Sequence, residues 1–180
     1  MDFLPRAAHL VLLLLLAVPV LAGTRLKTPD EEALETFRLT SENVRKSAAV
    51  MQRLASAVAR DPSLAESIQK NARRAKTLDE KAKALDGDPR VASALRAEGI
   101  GAREYVMVQM ATAQASLVVA IEARGVQIDT ADLREALNPA NVTFLETHRV
   151  EMDELAQSQE ELQKVSKGAN REQGKQDEKR

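Results

Sequence analysis

One histidine and four methionines are the residues of this chain whose types and spacing could do distinctive chemistry. His148 is the only histidine beyond the N-terminal segment that holds His9. It precedes Met152 by four positions, which on a helix places the two side chains one above the other on the same face. Met51 lies midway along an earlier apolar seam, and Met107 and Met110 sit three apart in a long uncharged stretch. Imidazole with thioethers is a soft donor set that suits Cu(I), so His148, Met152, Met107 and Met110 make one candidate metal site. Met51 and His148, on helices far apart in the chain, could instead serve as the two axial ligands of a haem. The competing reading is structural: methionine fills irregular gaps in a core, and a lone histidine sits hydrogen-bonded at its edge. We carry the structural reading forward, with no cofactor and no metal, and keep the haem or copper carrier as its alternative.

Other chemistry is poorly supplied. The chain has no cysteine, which removes thiol catalysis, disulfide exchange and thiolate metal sites together. A Ser-His-Asp arrangement would have to run through His148, and no Gly-x-Ser-x-Gly elbow presents a nucleophile. There is no glycine-rich loop to cradle a phosphate, and the carboxylates are scattered as solubility demands rather than paired. The expectation is therefore a protein that binds and is not an enzyme.

The first 23 residues give an address. Arg6 forms a positive start, Leu10 to Val18 are apolar, Pro19 breaks the run, and Val20-Leu21-Ala22 is a small-x-small cleavage signal before Gly23. Residues 1–22 read as a cleaved signal peptide, since the run falls well short of the ~20 apolar residues of a membrane span. No cysteine follows Ala22 to carry a lipid. Cleavage removes Arg6 and Asp2, leaving 25 basic against 26 acidic residues, a net charge of −1. Such a surface offers no long-range attraction to nucleic acid. Export to the periplasm or beyond, no stable membrane span after cleavage, and a protein partner or self-association are the resulting expectations.

The elements that must position any site are helices. Ala, Leu, Glu, Lys, Arg and Gln dominate the chain, and tryptophan is absent. Thr28-Pro29, Asp61-Pro62, Asp88-Pro89 and Asn138-Pro139 each pair a good N-cap residue with a proline suited to the first helical position. Helices are predicted over 29–60 and 62–85, with Thr77-Leu78-Asp79-Glu80 marking a kink or restart, then over 89–98, 102–124 and 139–165. The seam of the first, narrow at Val44, Ala48, Met51, Ala55 and Val58, suits an antiparallel partner. Gly99 is expected in the left-handed conformation, and Gly125 as a stop before a connector over 126–137 with a short helical turn from Thr130. No charge occurs from Tyr105 to Ile121, so that helix is expected to be central and wrapped on all sides. Residues 166–180 lack apolar periodicity and read as a disordered tail. The fold class is thus all-α: a bundle of four to five helices over residues 23–165.

Several local likenesses accompany this pattern. Asp61-Pro-Ser-Leu-Ala-Glu-Ser-Ile and Asp88-Pro-Arg-Val-Ala-Ser-Ala-Leu align at an offset of 27, which shared capping chemistry explains better than a repeat. Asn141-Val142-Thr143 is an N-glycosylation sequon placed in the first turn of a helix. Met51 and His148 give the chain a resemblance to the periplasmic four-helix b-type cytochromes, which carry Met and His axial ligands on their first and last helices. Leu39-Thr40-Ser41-Glu42-Asn43 resembles the LTxxQ motif of periplasmic helical chaperones, with Asn43 in place of the motif's Gln; that resemblance implies hairpinned helices presenting an apolar cradle to unfolded clients. Gly101-Ala-Arg-Glu-Tyr-Val and Asn138-Pro-Ala-Asn-Val-Thr-Phe are similar in style to uncharacterised secreted proteins of Gram-negative bacteria, which brings no activity. The function expected is that of an exported helical binding or chaperone-like protein whose surface seams make the contact.

Overall fold

Three of the four prolines open helices at their own positions. The computed structural model describes residues 27–123 and 137–177, with side chains as far as Ala169. The expected signal peptide, Gly125 and most of the connector lie outside the described residues. Within them the protein is all-helical, with α1 at Pro29–Thr36, α2 at Ser41–Arg60, α3 at Ser63–Arg74 and α4 at Leu78–Asp86. Helices α5 at Pro89–Ala97, α6 at Ala102–Ala123, α7 at Pro139–Thr147 and α8 at Arg149–Asp177 complete the bundle. Eight described helices replace the expected four to five because three long predicted helices are interrupted, at 37–40, at 75–77 and at His148.

Each interruption has a local cause. Thr40 caps α2 by accepting from Asn43 N–H at 3.2 Å, while Asn43 Oδ1 accepts from Thr40 N–H at 2.9 Å. Thr28 with Glu31 and Thr77 with Glu80 form the same reciprocal box at α1 and α4, so Thr77 marks a restart. Asp88 caps α5 from the expected position. Asp61 serves α3, which begins one residue later than expected, by accepting from Ser63 N–H at 3.1 Å. Asn138 does not cap α7: its backbone has φ 61° and its side chain faces the 37–40 segment instead. Gly99, at φ 61°, closes α5 as expected, with Ile100 N–H donating to Leu95 O at 3.2 Å and Gly99 N–H to Arg96 O at 3.1 Å.

The extended 37–40 segment is held by asparagines from the other end of the chain. Asn141 Oδ1 accepts from Leu39 N–H at 2.9 Å, and its Nδ2 donates to Phe37 O at 3.0 Å. Asn138 Nδ2 donates to Glu35 O and to Phe37 O, both at 2.7 Å, and its Oδ1 accepts from Arg38 at 2.7 Å. Asn43 Nδ2 donates to Arg38 O at 3.0 Å. These three side chains are almost fully buried. They supply the partners that a non-helical backbone in the interior requires. Asn141 is therefore closed to glycosylation in the folded protein.

The main core lies between α2 and α8. Ser41 donates to Glu151 at 2.9 Å and Gln52 donates to Ser158 at 3.1 Å, so the two helices ascend together and run parallel. This corrects the antiparallel expectation; the pair are separated by most of the chain, which leaves their relative direction free. The buried face of α2 also widens beyond the expected seam to include Ser47, Val50 and Leu54, because α5 and α6 cover its other side. Helix α8 supplies Leu155, Met152, Leu162, Val165 and Ala169. It continues to Asp177, through much of the segment expected to lack structure. Extending a helix already anchored by packing avoids the cost of nucleating a new one.

Candidate binding surface

Helix α6 is the longest apolar element, and its two faces have different fates. Ala111, Ala115 and Val118 are buried on the inner side, where Ala115 and Val118 join Leu137 and Val142 of the α7 region in a small core of their own. On the outer side Val106, Met110, Ala113, Leu117 and Ile121 recur at helical spacing. Only the first is buried, in a cluster with Leu34, Leu78 and Met107. Met110, Ala113 and Ile121 are half-buried, and Leu117 is 36% exposed. The expectation of a helix wrapped on all sides is therefore corrected over its second half.

Length explains the opening. Helix α4, anchored beside the start of α6 by the Arg103–Asp79 ion pair at 2.9 Å, has 9 residues, whereas α6 has 22. At a rise of about 1.5 Å per residue the covering helix spans about 14 Å of a helix about 33 Å long. The remainder of the outer stripe emerges with no charged side chain between Tyr105 and Ile121. By length and composition α6 could also cross a membrane, and only 39% of its most apolar window is buried. At the inner end Tyr105 is buried, which pushes its hydroxyl pKa upward.

The residues singled out for metal or haem chemistry are dispersed among these environments. Met51 is 3% exposed within the main core, and Met152 packs at the edge of the same core. Met107 and Met110 belong to the separate cluster under α1 and α4, where Arg103 Nη1 lies 3.4 Å from Met107 Sδ. His148 falls at the break between α7 and α8, so it and Met152 do not lie along one uninterrupted helix. Its ring stacks on Phe144 with centroids 4.0 Å apart, and Nδ1 lies 2.9 Å from Thr147 Oγ1 and 3.2 Å from Phe144 O. Among the described residues no group of three or more His, Asp or Glu side chains is arranged to hold a metal ion.

A charged knot escaped the reading of the sequence. Arg90 joins the two Asp-Pro segments, pairing with Asp88 at 2.8 Å and with Asp61. Asp88 is 8% exposed and also accepts from Ser67 Oγ at 3.1 Å. The Arg90 guanidinium, with its backbone N–H, lowers the Asp88 carboxyl pKa to about 2. The aspartates were legible as caps; the arginine reaching back 29 residues to Asp61 carried no local signal. The chaperone-like segment at 39–43 proves to be a helix start, in which Thr40 and Asn43 satisfy one another.

No protein-family model matches the chain, and no curated protein or solved structure is significantly similar to it.

Proposed function

We propose that this is an exported, non-enzymatic helical binding protein that holds apolar segments of a partner protein against the outer face of α6, in the manner of a chaperone. The observation that carries the reading is the uncharged stripe at Met110, Ala113, Leu117 and Ile121, with Leu117 36% exposed on a helix otherwise rooted in the core. Apolar surface left contiguous on a folded domain marks contact sites. Export rests on the signal-peptide pattern of residues 1–22, and mature protein beginning at Gly23 is its expected form, read by intact mass; a species retaining Met1 would contradict it.

The binding role is tested with purified mature protein and a chemically denatured client. Wild type is expected to suppress client aggregation, measured by light scattering. Leu117→Glu is expected to abolish that protection while its urea midpoint stays near the wild-type value. Equal protection by the variant would refute the assignment of the face, and loss of a wild-type dimer in place of client protection would make the face a self-association surface.

A further inference from the structure

The cations of this protein are mostly spoken for. Lys27, Arg45, Lys46, Arg53, Arg90 and Arg103 each form an ion pair with a described carboxylate. Helices α3 and α4 depart from that habit. Lys70, Arg73 and Arg74 in the last turns of α3 and Lys83 on α4 are exposed and make no ion pair within the described residues. Lys70 also stands three and four positions before Arg73 and Arg74, spacings at which like charges repel along a helix.

Three of these cations line one recess. Two adjoining hollows of about 290 and 340 Å³ share Asn71 and Arg74; Lys70 and Ser67 line one, Lys83 and Glu80 the other. The Glu80 carboxylate is committed to the start of α4, accepting from the N–H groups of Lys76 at 2.6 Å and Thr77 at 3.2 Å, which hold its pKa below the ordinary value. Glu66, exposed on the wall of the first hollow, is the other carboxylate there. The recess thus keeps a local excess of positive charge on a chain whose net charge is −1.

We propose that this recess binds a phosphate group, with Lys70, Arg74 and Lys83 as its cationic contacts and the Asn71 amide as a neutral donor. A forked guanidinium matches phosphate oxygens, and two ammonium groups beside it suit a dianion better than a single carboxylate. The combined space admits a phosphorylated small molecule or a lipid headgroup. The site lies on α3 and α4 and does not depend on the reading of the α6 face.

The test titrates the mature protein with inorganic phosphate by NMR, and separately with vesicles of phosphatidylglycerol or of phosphatidylcholine by flotation. Saturable shifts at Asn71 and Arg74 are expected with phosphate, weakened about tenfold by Arg74→Gln and unchanged by Arg96→Gln, an exposed cation on α5. Binding to inorganic phosphate without vesicle binding supports a free phosphate ligand; phosphatidylglycerol binding that phosphate competes away supports a headgroup. Circular dichroism verifies that each variant is folded. No saturable binding to either probe up to ~10 mM, or equal weakening by Arg96→Gln, would overturn the proposal.

Discussion

Arg90 shows how one side chain can tie separate helix starts into a single unit. Its guanidinium neutralises Asp88 and Asp61 while both aspartates accept backbone N–H groups at the starts of α5 and α3. Replacing it with Ala would leave the nearly buried Asp88 without its cation, and Arg90→Ala is expected to destabilise the protein by about 1–3 kcal/mol in urea titrations. The pH dependence has a definite sign. Because the folded-state pKa of Asp88 is lowered to about 2 from 3.8, the unfolded chain takes up its proton first as pH falls. The stabilisation is therefore fully present above about pH 4 and drains away as the pH falls through about 2. Asp88→Asn is expected to flatten the acid limb of the stability curve in that window; an unchanged limb would remove Asp88 from its cause.

Among the elements, the helix starts were the most legible feature and the helix interruptions the least. Thr28, Asp88 and the Thr77 box could be read because a cap and its amide lie within a few residues of each other. The break at 37–40 could not, since Asn138 and Asn141 stabilise it from a hundred residues away. The apolar spacing through Leu34, Phe37, Val44 and Ala48 is compatible with one long helix, and only these distant partners make the extended alternative affordable. Asn141→Ala would leave the N–H of Leu39 and the carbonyl of Phe37 short of partners in the interior. A loss of about 2–4 kcal/mol is expected in denaturant unfolding, against about 1 kcal/mol for Thr40→Ala, whose helix start is partly exposed. A smaller effect at Asn141 than at Thr40 would show that the segment is not held from α7.

At the scale of the whole molecule, the organising fact is the parallel packing of α2 on α8, two helices almost a hundred residues apart. Helical periodicity disclosed which residues of each face inward, but direction depends on the path of the intervening chain and leaves no mark on the seam itself. Leu155 is 1% exposed at the centre of this contact, and Leu155→Ala is expected to cost about 2–5 kcal/mol. The other consequence of the assembly is the unequal cover over α6. Its uncharged sequence was legible, but its exposure was not, because an apolar stretch looks the same whether a neighbour covers it entirely or stops partway.

That inequality is the central claim, and adjacent residues test it. Val118 is 0% exposed and points inward, whereas Leu117 beside it is 36% exposed on the outer face. Urea denaturation of Val118→Ala and Leu117→Ala compares the two faces within one helical turn. The structure predicts a loss of about 2 kcal/mol for Val118→Ala and about 1 kcal/mol or less for Leu117→Ala, although leucine is the larger side chain to truncate. A loss of about 3 kcal/mol or more at Leu117 would mean that its face is buried, and would contradict the open binding surface on which the proposed function rests.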